Sequence, residues 1–402
     1  MVSKAWRVLR EQGPGAVIKR AGVRLFGDDS IRRTLVRYED ALAVDWNSPH
    51  PATIAPSAVA PGPLITAWIM SPPGANSGGH QNIFRFVKVL EDAGHEVRVY
   101  LYSTDTKYSA GEVQAMLRSS TSYPDVRATV EELPASGIPS DVDAVFATGW
   151  ETAYPAFRDT STARRFYFVQ DFEPYFYAVG SEYALAESTY RFGFTGLTAG
   201  AWLSTKLSRD YGMTTSHFDF GSDPATYRIT NEGARNEVFF YARPATERRG
   251  FELGIMALDL VARSRSDLTI NLVGEDLRHL DIPFRHTNVA GLQVSDLNEI
   301  YNRCATGLVL SFTNMSLLPL ELLGAGVIPV VNDGENNRMV SDNPYIEFAA
   351  PTPRSLADRM LAVLDRADPV AYAAAASASV DSADWAESGR QFLGGFERAI
   401  RG

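Results

Sequence analysis

Between residues 64 and 350 the chain alternates between two hydrophobic rhythms, short apolar runs and longer stretches with apolar residues at helical spacing. "LITAWIM" (64–70) reads as a strand that ends in the glycine-rich "SPPGANSGGH". The following stretch puts Ile83, Phe84, Val87, Leu90 and Ala93 on one helical face, and "HEVRVYLY" then alternates like a strand. Strand, loop, helix, strand is one βαβ unit, whose parallel strands need a crossover. "DAVFATGW" (143–150) and "RRFYFVQD" (164–171) are further strands ending in polar loops. "FTGLTAGAWLSTKLSRDYG" adds strand, turn and helix, with Gly212 placed to cap the helix end.

After the turn-rich "FGSDPATYRITNEGARN" (220–236) the rhythm restarts. "EVFFYARP", "LTINLVGED", "TGLVLSF" and "VIPVVND" read as strands, separated by helices that include "GFELGIMALDLVARS" and "LLPLELLGAG". Each half therefore predicts a doubly wound parallel sheet with ligands at the carboxyl ends of its strands, near the cleft between the halves. The expected organisation is a helical extension and Pro/Ala-rich linker over 1–63, Rossmann-like domains over 64–225 and 226–380, and a C-terminal helix over 381–402 crossing back to the first domain. The alanine-rich stretch 371–379 reads as a helix or connector.

Charge and cysteine usage narrow the function. A net charge of -10 argues against general nucleic-acid binding, which needs a basic surface. The single cysteine, Cys304, excludes an internal disulfide and a cysteine-rich metal site. No apolar run is as long as a membrane span, so a cytoplasmic protein is expected. Residues 1–37 run against the overall charge, with nine Lys or Arg against three acids. They read first as a solvated helix pair packing on their own protein or on a second subunit. The alternative is peripheral contact of residues 1–40 with an anionic membrane, at the inner face.

Four strand-end segments can carry chemistry. Gly78, Gly79 and His80 lie where a backbone approaches a ligand at a helix start, although no Walker or GxGxxG pattern is spelled. "FVQDFEPYFYAVGSEYALAES" (168–188) sets Gln170, Asp171 and Glu173 among aromatics that include Tyr175 and Tyr177. Aromatic faces beside carboxylates suit sugar rings and their hydroxyls. "YARPATERRGFE" (241–252) brings Arg243, Arg248 and Arg249 to a strand end, as a diphosphate clamp would need. In "LSFTNMSLLPLELLGAGVIPVV" (310–331) a single carboxylate, Glu321, sits in an apolar stretch, in the expected first turn of a helix. No metal-ligand cluster is evident.

Taken in order, Arg-Pro…Arg-Arg-Gly, "LVGED" and "S…LLPLELLGAGVIPVV" resemble a glycosyltransferase of the GT-B fold, nearest to family 4 of the retaining enzymes. "FVQDFEPYFYAVGSEYALAE" is similar to the motif of dTDP-rhamnose-dependent rhamnosyltransferases of bacterial surface-glycan assembly. The resemblance spans roughly residues 64–400. It implies two Rossmann-like domains facing a cleft and transfer of rhamnose, with retention, from dTDP-rhamnose to a glycan or lipid-linked acceptor. It also implies no cofactor and no metal. Donor contacts would come from Gly78, Gly79, Arg243, Arg248, Arg249, Gly274, Glu275, Asn314, Met315, Ser316, Leu317 and, on the ribose, Glu321. Acceptor contacts would come from His80, Gln170, Asp171, Glu173, Tyr175 and Tyr177, with Asp171, Arg243 and Arg249 as the catalytic groups. One position departs from the pattern: many members carry a second glutamate eight residues before the ribose glutamate, and here Thr313 stands there, followed by Asn314. A GT-B nucleotide-sugar epimerase and a catalytically silent sugar-binding scaffold stay open as alternatives.

Overall fold

A computed structural model describes residues 35–47, 59, 61–74, 77–104, 109–161, 163–292 and 294–402. Residues 1–34 of the basic extension, and most of the Pro/Ala-rich linker, lie outside the described residues. In chain order the first half holds α1 (Tyr38–Ala43), β1 (Ile65–Met70), α2 (Gly78–Asp92), β2 (Glu96–Leu101), α3 (Ala110–Ser119), β3 (Thr129–Glu132) and β4 (Ala144–Ala147). It continues through α4 (Trp150–Arg158), β5 (Arg164–Val169), α5 (Ser181–Ser188), β6 (Thr195–Ala199), α6 (Ala201–Tyr211) and β7 (Thr215–Phe218). The second half holds β8 (Glu237–Ala242), α7 (Phe251–Ser264), β9 (Thr269–Gly274), β10 (Thr287–Ala290), α8 (Val294–Tyr301), β11 (Cys304–Val309), α9 (Leu318–Gly324) and β12 (Ile328–Asn332). After it come α10 (Glu335–Arg338), β13 (Glu347–Ala349), α11 (Pro353–Leu364), α12 (Pro369–Ala378) and α13 (Trp385–Arg401).

Both sheets are parallel. The first has the order β3-β2-β1-β4-β5-β6-β7 and the second β10-β9-β8-β11-β12-β13. Each order reverses beside the strand that opens its half, which places a crevice at the carboxyl ends of β1/β4 and β8/β11. The two-domain Rossmann-like architecture is thus the one expected.

Strand alternation decides the packing of the first sheet. Trp68 and Met70 face one side of β1, Ala67 and Ile69 the other, and all four are fully buried. On the first side Trp68 stacks on Phe146 at 4.4 Å, and Phe86 of α2 meets Phe168 at 5.3 Å. Phe392 and Phe396 of α13 complete this aromatic layer, so the last helix of the chain belongs to the core of the first domain. Gly212 ends α6 at φ 68°, the left-handed conformation that a non-glycine residue adopts only with strain. Among the described residues no helix is long and apolar enough to cross a membrane.

Candidate functional site

The carboxyl ends of the strands from both halves meet along one seam. From the first domain it receives the segment after β5 and the β6–α6 turn. From the second it receives the loop between β8 and α7 and the segment 311–317 before α9. Asn314 is its centre: buried, it donates through Nδ2 to the carbonyls of Gln170 (3.0 Å) and Ala199 (2.8 Å). Its backbone N–H donates to Asp171 Oδ1 at 2.8 Å, and Thr313 Oγ1 donates to Asp171 Oδ2 at 3.0 Å. Arg248 Nε lies 3.6 Å from the same carboxylate, while its guanidinium stacks on Phe176 at 3.9 Å. Beside the seam, a cavity of about 640 Å³ opens between the 176–182 segment and residues 245–248.

The second domain supplies the cationic wall. Arg249 Nη1 donates to Ser311 Oγ at 2.9 Å, and that hydroxyl donates in turn to the carbonyl of Asn314 at 2.7 Å. Arg249 is therefore coupled to the turn that carries Asn314. Burial lowers the pKa of both Arg248 and Arg249, a sign of desolvated guanidinium groups. Arg243 stands further out, exposed, donating to Tyr241 Oη at 3.0 Å and pairing with Glu275 at 3.3 Å. Gly274 has φ 140°, and a Cβ there would lie 2.6 Å from the carbonyl oxygen of Ala242, so the close approach of β9 to β8 excludes a side chain.

Glu321 lies in the first turn of α9, as expected from its place in the sequence. Burial pushes its carboxyl up to about 7, against the opposing effects of a hydrogen bond from Tyr301 and the nearby Arg85 guanidinium. Arg85 comes from α2 of the other domain, where it stacks on Trp385 at 3.7 Å. Glu321 thus faces the junction between the domains rather than a closed core.

Several expected contacts take other roles here. His80, assigned to the acceptor, has both ring nitrogens engaged in its own loop: Nε2 donates to the Ser71 carbonyl at 2.9 Å, so Nδ1 accepts from Ser77 Oγ at 2.8 Å. Burial lowers its pKa and keeps it neutral. Gln170 is likewise occupied, accepting from Asn82 at 3.0 Å and donating to the Gly79 carbonyl at 3.1 Å; it ties β5 to the start of α2. The side chain of Asn314 belongs to the seam, and that of Met315 is buried, so any donor contact there falls to backbone. Ser316 and Leu317 are half-buried on the rest of the turn, and Gly78 and Gly79 open α2. Tyr175 is exposed, whereas Tyr177 accepts from Trp150 Nε1 at 3.0 Å, and burial raises its phenol to about 12.

Glu173 departs furthest from its assignment. Its carboxylate turns inward, accepting from the Trp150 backbone N–H at 2.6 Å and the Tyr167 hydroxyl at 2.9 Å. Burial, and then the charge of Glu151, push it well above the usual carboxylate range; burial raises Glu151 too. Glu151 was missed in the sequence, where "TGWE" offers only one cue: it follows a strand that ends at the cleft. A raised carboxyl binds protons better folded than unfolded, so its stabilising effect is full below the ordinary value of 4.5 and is lost as pH rises through the folded value. Glu173→Gln should accordingly raise the thermal midpoint at pH 8 by about 2–4 °C, the shift one kcal/mol gives in a domain of this size. Little change is expected at pH 4.5. An equal change at both pH values would refute the buried charge.

Comparisons with known proteins agree with this geometry. Residues 236–361 match the family model described as WsaF, C-terminal domain, and residues 133–198 that described as WsaF, N-terminal domain. An O-antigen biosynthesis protein, RfbC of Myxococcus xanthus, is 31% identical over 307 residues, 73% of this chain and 24% of that protein. The chain thus spans about a quarter of the length of the curated relative it matches. Anabaena Alr3699/HepE, solved with UDP and glucose, superposes with a TM-score of 0.64 at 12% identity, over 83% of this chain and 100% of its own. TarM gives 0.69 at 8% identity, over 84% and 99%, and WaaG, a glycosyltransferase involved in lipopolysaccharide biosynthesis, 0.59 at 14%, over 81% and 98%. The architecture they share with this chain is GT-B.

Proposed function

We propose that the chain is a glycosyltransferase of surface-glycan assembly, moving rhamnose from dTDP-rhamnose to a hydroxyl of a glycan or lipid-linked acceptor, with retention and without a metal. The observation that carries the reading is the seam itself. Two desolvated arginines and a hydrogen-bonded turn from one domain face carboxylate and aromatic side chains of the other. The WsaF matches, the O-antigen relative and the nucleotide-sugar complexes among the structural neighbours support it, while fold alone does not assign a reaction.

In this reading Arg248 and Arg249 hold the diphosphate and stabilise the charge that grows on it as the glycosidic bond to the sugar breaks. Glu321 accepts from the ribose hydroxyls. The backbone of Asn314–Leu317 lies along the phosphate and the transferred sugar, and Arg243 and Glu275 flank the nucleotide. Tyr175 and Phe176 offer ring faces to the acceptor, and Asp171 is the carboxylate nearest both halves. We place the reaction in the cytoplasm, at the inner face of the membrane, with residues 1–40 as the contact to the membrane or to a second copy.

A panel of nucleotide sugars tests the reading. dTDP-rhamnose should raise the thermal midpoint more than UDP-glucose, since a ligand of the native state stabilises it. Product analysis should find a rhamnosyl glycan only when acceptor is present. Conversion of the donor in the absence of acceptor would favour an epimerase, and stabilisation without any turnover a silent scaffold.

A further inference from the structure

Asp171 is the natural candidate for the acceptor's base, yet both of its oxygens are already hydrogen-bonded. Oδ1 accepts from the backbone N–H of Asn314 and from that of Phe172, both at 2.8 Å. Oδ2 accepts from Thr313 Oγ1 at 3.0 Å and faces Arg248. Three of the roughly four acceptor sites of the carboxylate are so used, and both oxygens are committed to the seam rather than to an incoming hydroxyl. The groups that hold it are also telling. A hydroxyl, a backbone amide and an arginine, all from the second domain, are the donors a phosphate oxygen takes. The arginine keeps a donor to spare: stacked on Phe176, Arg248 has its Nε buried and without a hydrogen-bond partner among the described residues, the 3.6 Å to Asp171 being too long for one.

We infer that Asp171 is a built-in competitor of the donor's diphosphate: its carboxylate occupies the Thr313–Asn314 turn beside Arg248 until a nucleotide sugar displaces it, and only the displaced carboxylate takes the acceptor's proton. The inference rests on the functional reading above and sets an order, donor before acceptor. Displacement does not require the domains to separate. Asn314 Nδ2 keeps its bonds to the carbonyls of Gln170 and Ala199, which do not involve Asp171. A diphosphate carries more negative charge and more acceptor oxygens than one carboxylate, and repels it at close range. Once Asp171 is free, the acceptor's O–H proton passes to a carboxylate oxygen. The hydroxyl oxygen's electron pair forms the new bond to the anomeric carbon, and the bond from that carbon to the diphosphate breaks with its pair on the departing oxygen. Asp171 then returns the proton to solvent. Thr313 and Asn314 act as positioning residues throughout.

The signature is a split between binding and turnover. Removing a competitor raises apparent affinity, because less of the protein is held in the occupied state. Calorimetric titration of dTDP and of inorganic diphosphate into Asp171→Asn should show both bound about tenfold more tightly than by the natural sequence. Rhamnosyl transfer by the same variant should fall about 100-fold or more. Asp171→Ser, which also lacks the charge, must tighten binding in the same direction. Asn314→Ala, which loses the seam bonds and keeps the backbone N–H, should not tighten it. Unchanged or weaker affinity in both Asp171 variants, with the natural sequence binding the probes, overturns the competitor alone. Binding of neither probe by any of these proteins overturns the functional reading, and this inference with it.

Discussion

Replacing Arg249 by alanine is expected to lower turnover by about 10²–10³ while leaving the fold intact, the cost of removing one preorganised group from a developing oxyanion. Arg249 is half-buried, its pKa lowered chiefly by that burial, and its guanidinium makes one hydrogen bond, to Ser311 Oγ, among the described residues. A guanidinium keeps its charge in proteins, and a desolvated charge without a bonded carboxylate is costly. The folded chain tolerates that cost where an anionic ligand is to be held. Arg249→Lys should recover only part of the loss, because an ammonium keeps the charge and not the planar fork. Arg243→Ala should cost less than Arg249→Ala, since Arg243 is exposed and already paired with Glu275. Thermal melting beside steady-state kinetics separates the outcomes. A stable Arg249→Ala protein with near-normal turnover would remove Arg249 from the diphosphate site.

What the sequence did and did not disclose follows from where each element lies. Nine strands were legible from their apolar runs, all of them interior to the sheets. The four that were not are β3, β7, β10 and β13, the two edges of each sheet. An edge strand pairs on one side only and is short and polar here: "TVEE" of β3 buries one residue of its four, and "TNVA" of β10 buries none. Hydrophobic periodicity has little to register in such segments. The site behaved similarly. Strand-end position singled out Arg248, Arg249, Asp171 and Glu321, and the structure places all four where the two halves meet. Whether a polar side chain at such an end faces the cleft or folds back is decided by partners distant in sequence. His80 is held by Ser71 and Ser77, and Glu173 by Trp150 and Tyr167. Thr313 shows the same limit from the other side. Its position marked a departure from the two-glutamate pattern, and the fold brings a carboxylate to it from the opposite domain, that of Asp171.

Affinity for dTDP is expected to rise as pH rises through about 7, with Glu321 as the cause. A ribose hydroxyl donates to a carboxylate, whereas the protonated acid is a poorer acceptor, so binding selects the ionised form. With its carboxyl pushed up to about 7, Glu321 is mostly protonated at pH 6 and mostly ionised at pH 8. Ionising it first weakens binding about tenfold at pH 6 relative to pH 8, one pKa unit being worth a factor of ten. Folding runs the opposite way: the raised carboxyl favours the native state below its ordinary value of 4.5, and that advantage is lost as pH rises through about 7. Nucleotide should therefore restore most stability on the alkaline side. The terminal phosphate of dTDP also titrates, with a pKa of about 6, and its effect must be subtracted. Glu321→Gln provides the reference, keeping the shape of the side chain without the titration. Calorimetry across pH 5.5–8.5 should show the two proteins converging at low pH and separating above about 7, with the natural sequence the tighter binder. Parallel profiles would take Glu321 off the ribose and leave it a buried partner of Tyr301 and Arg85.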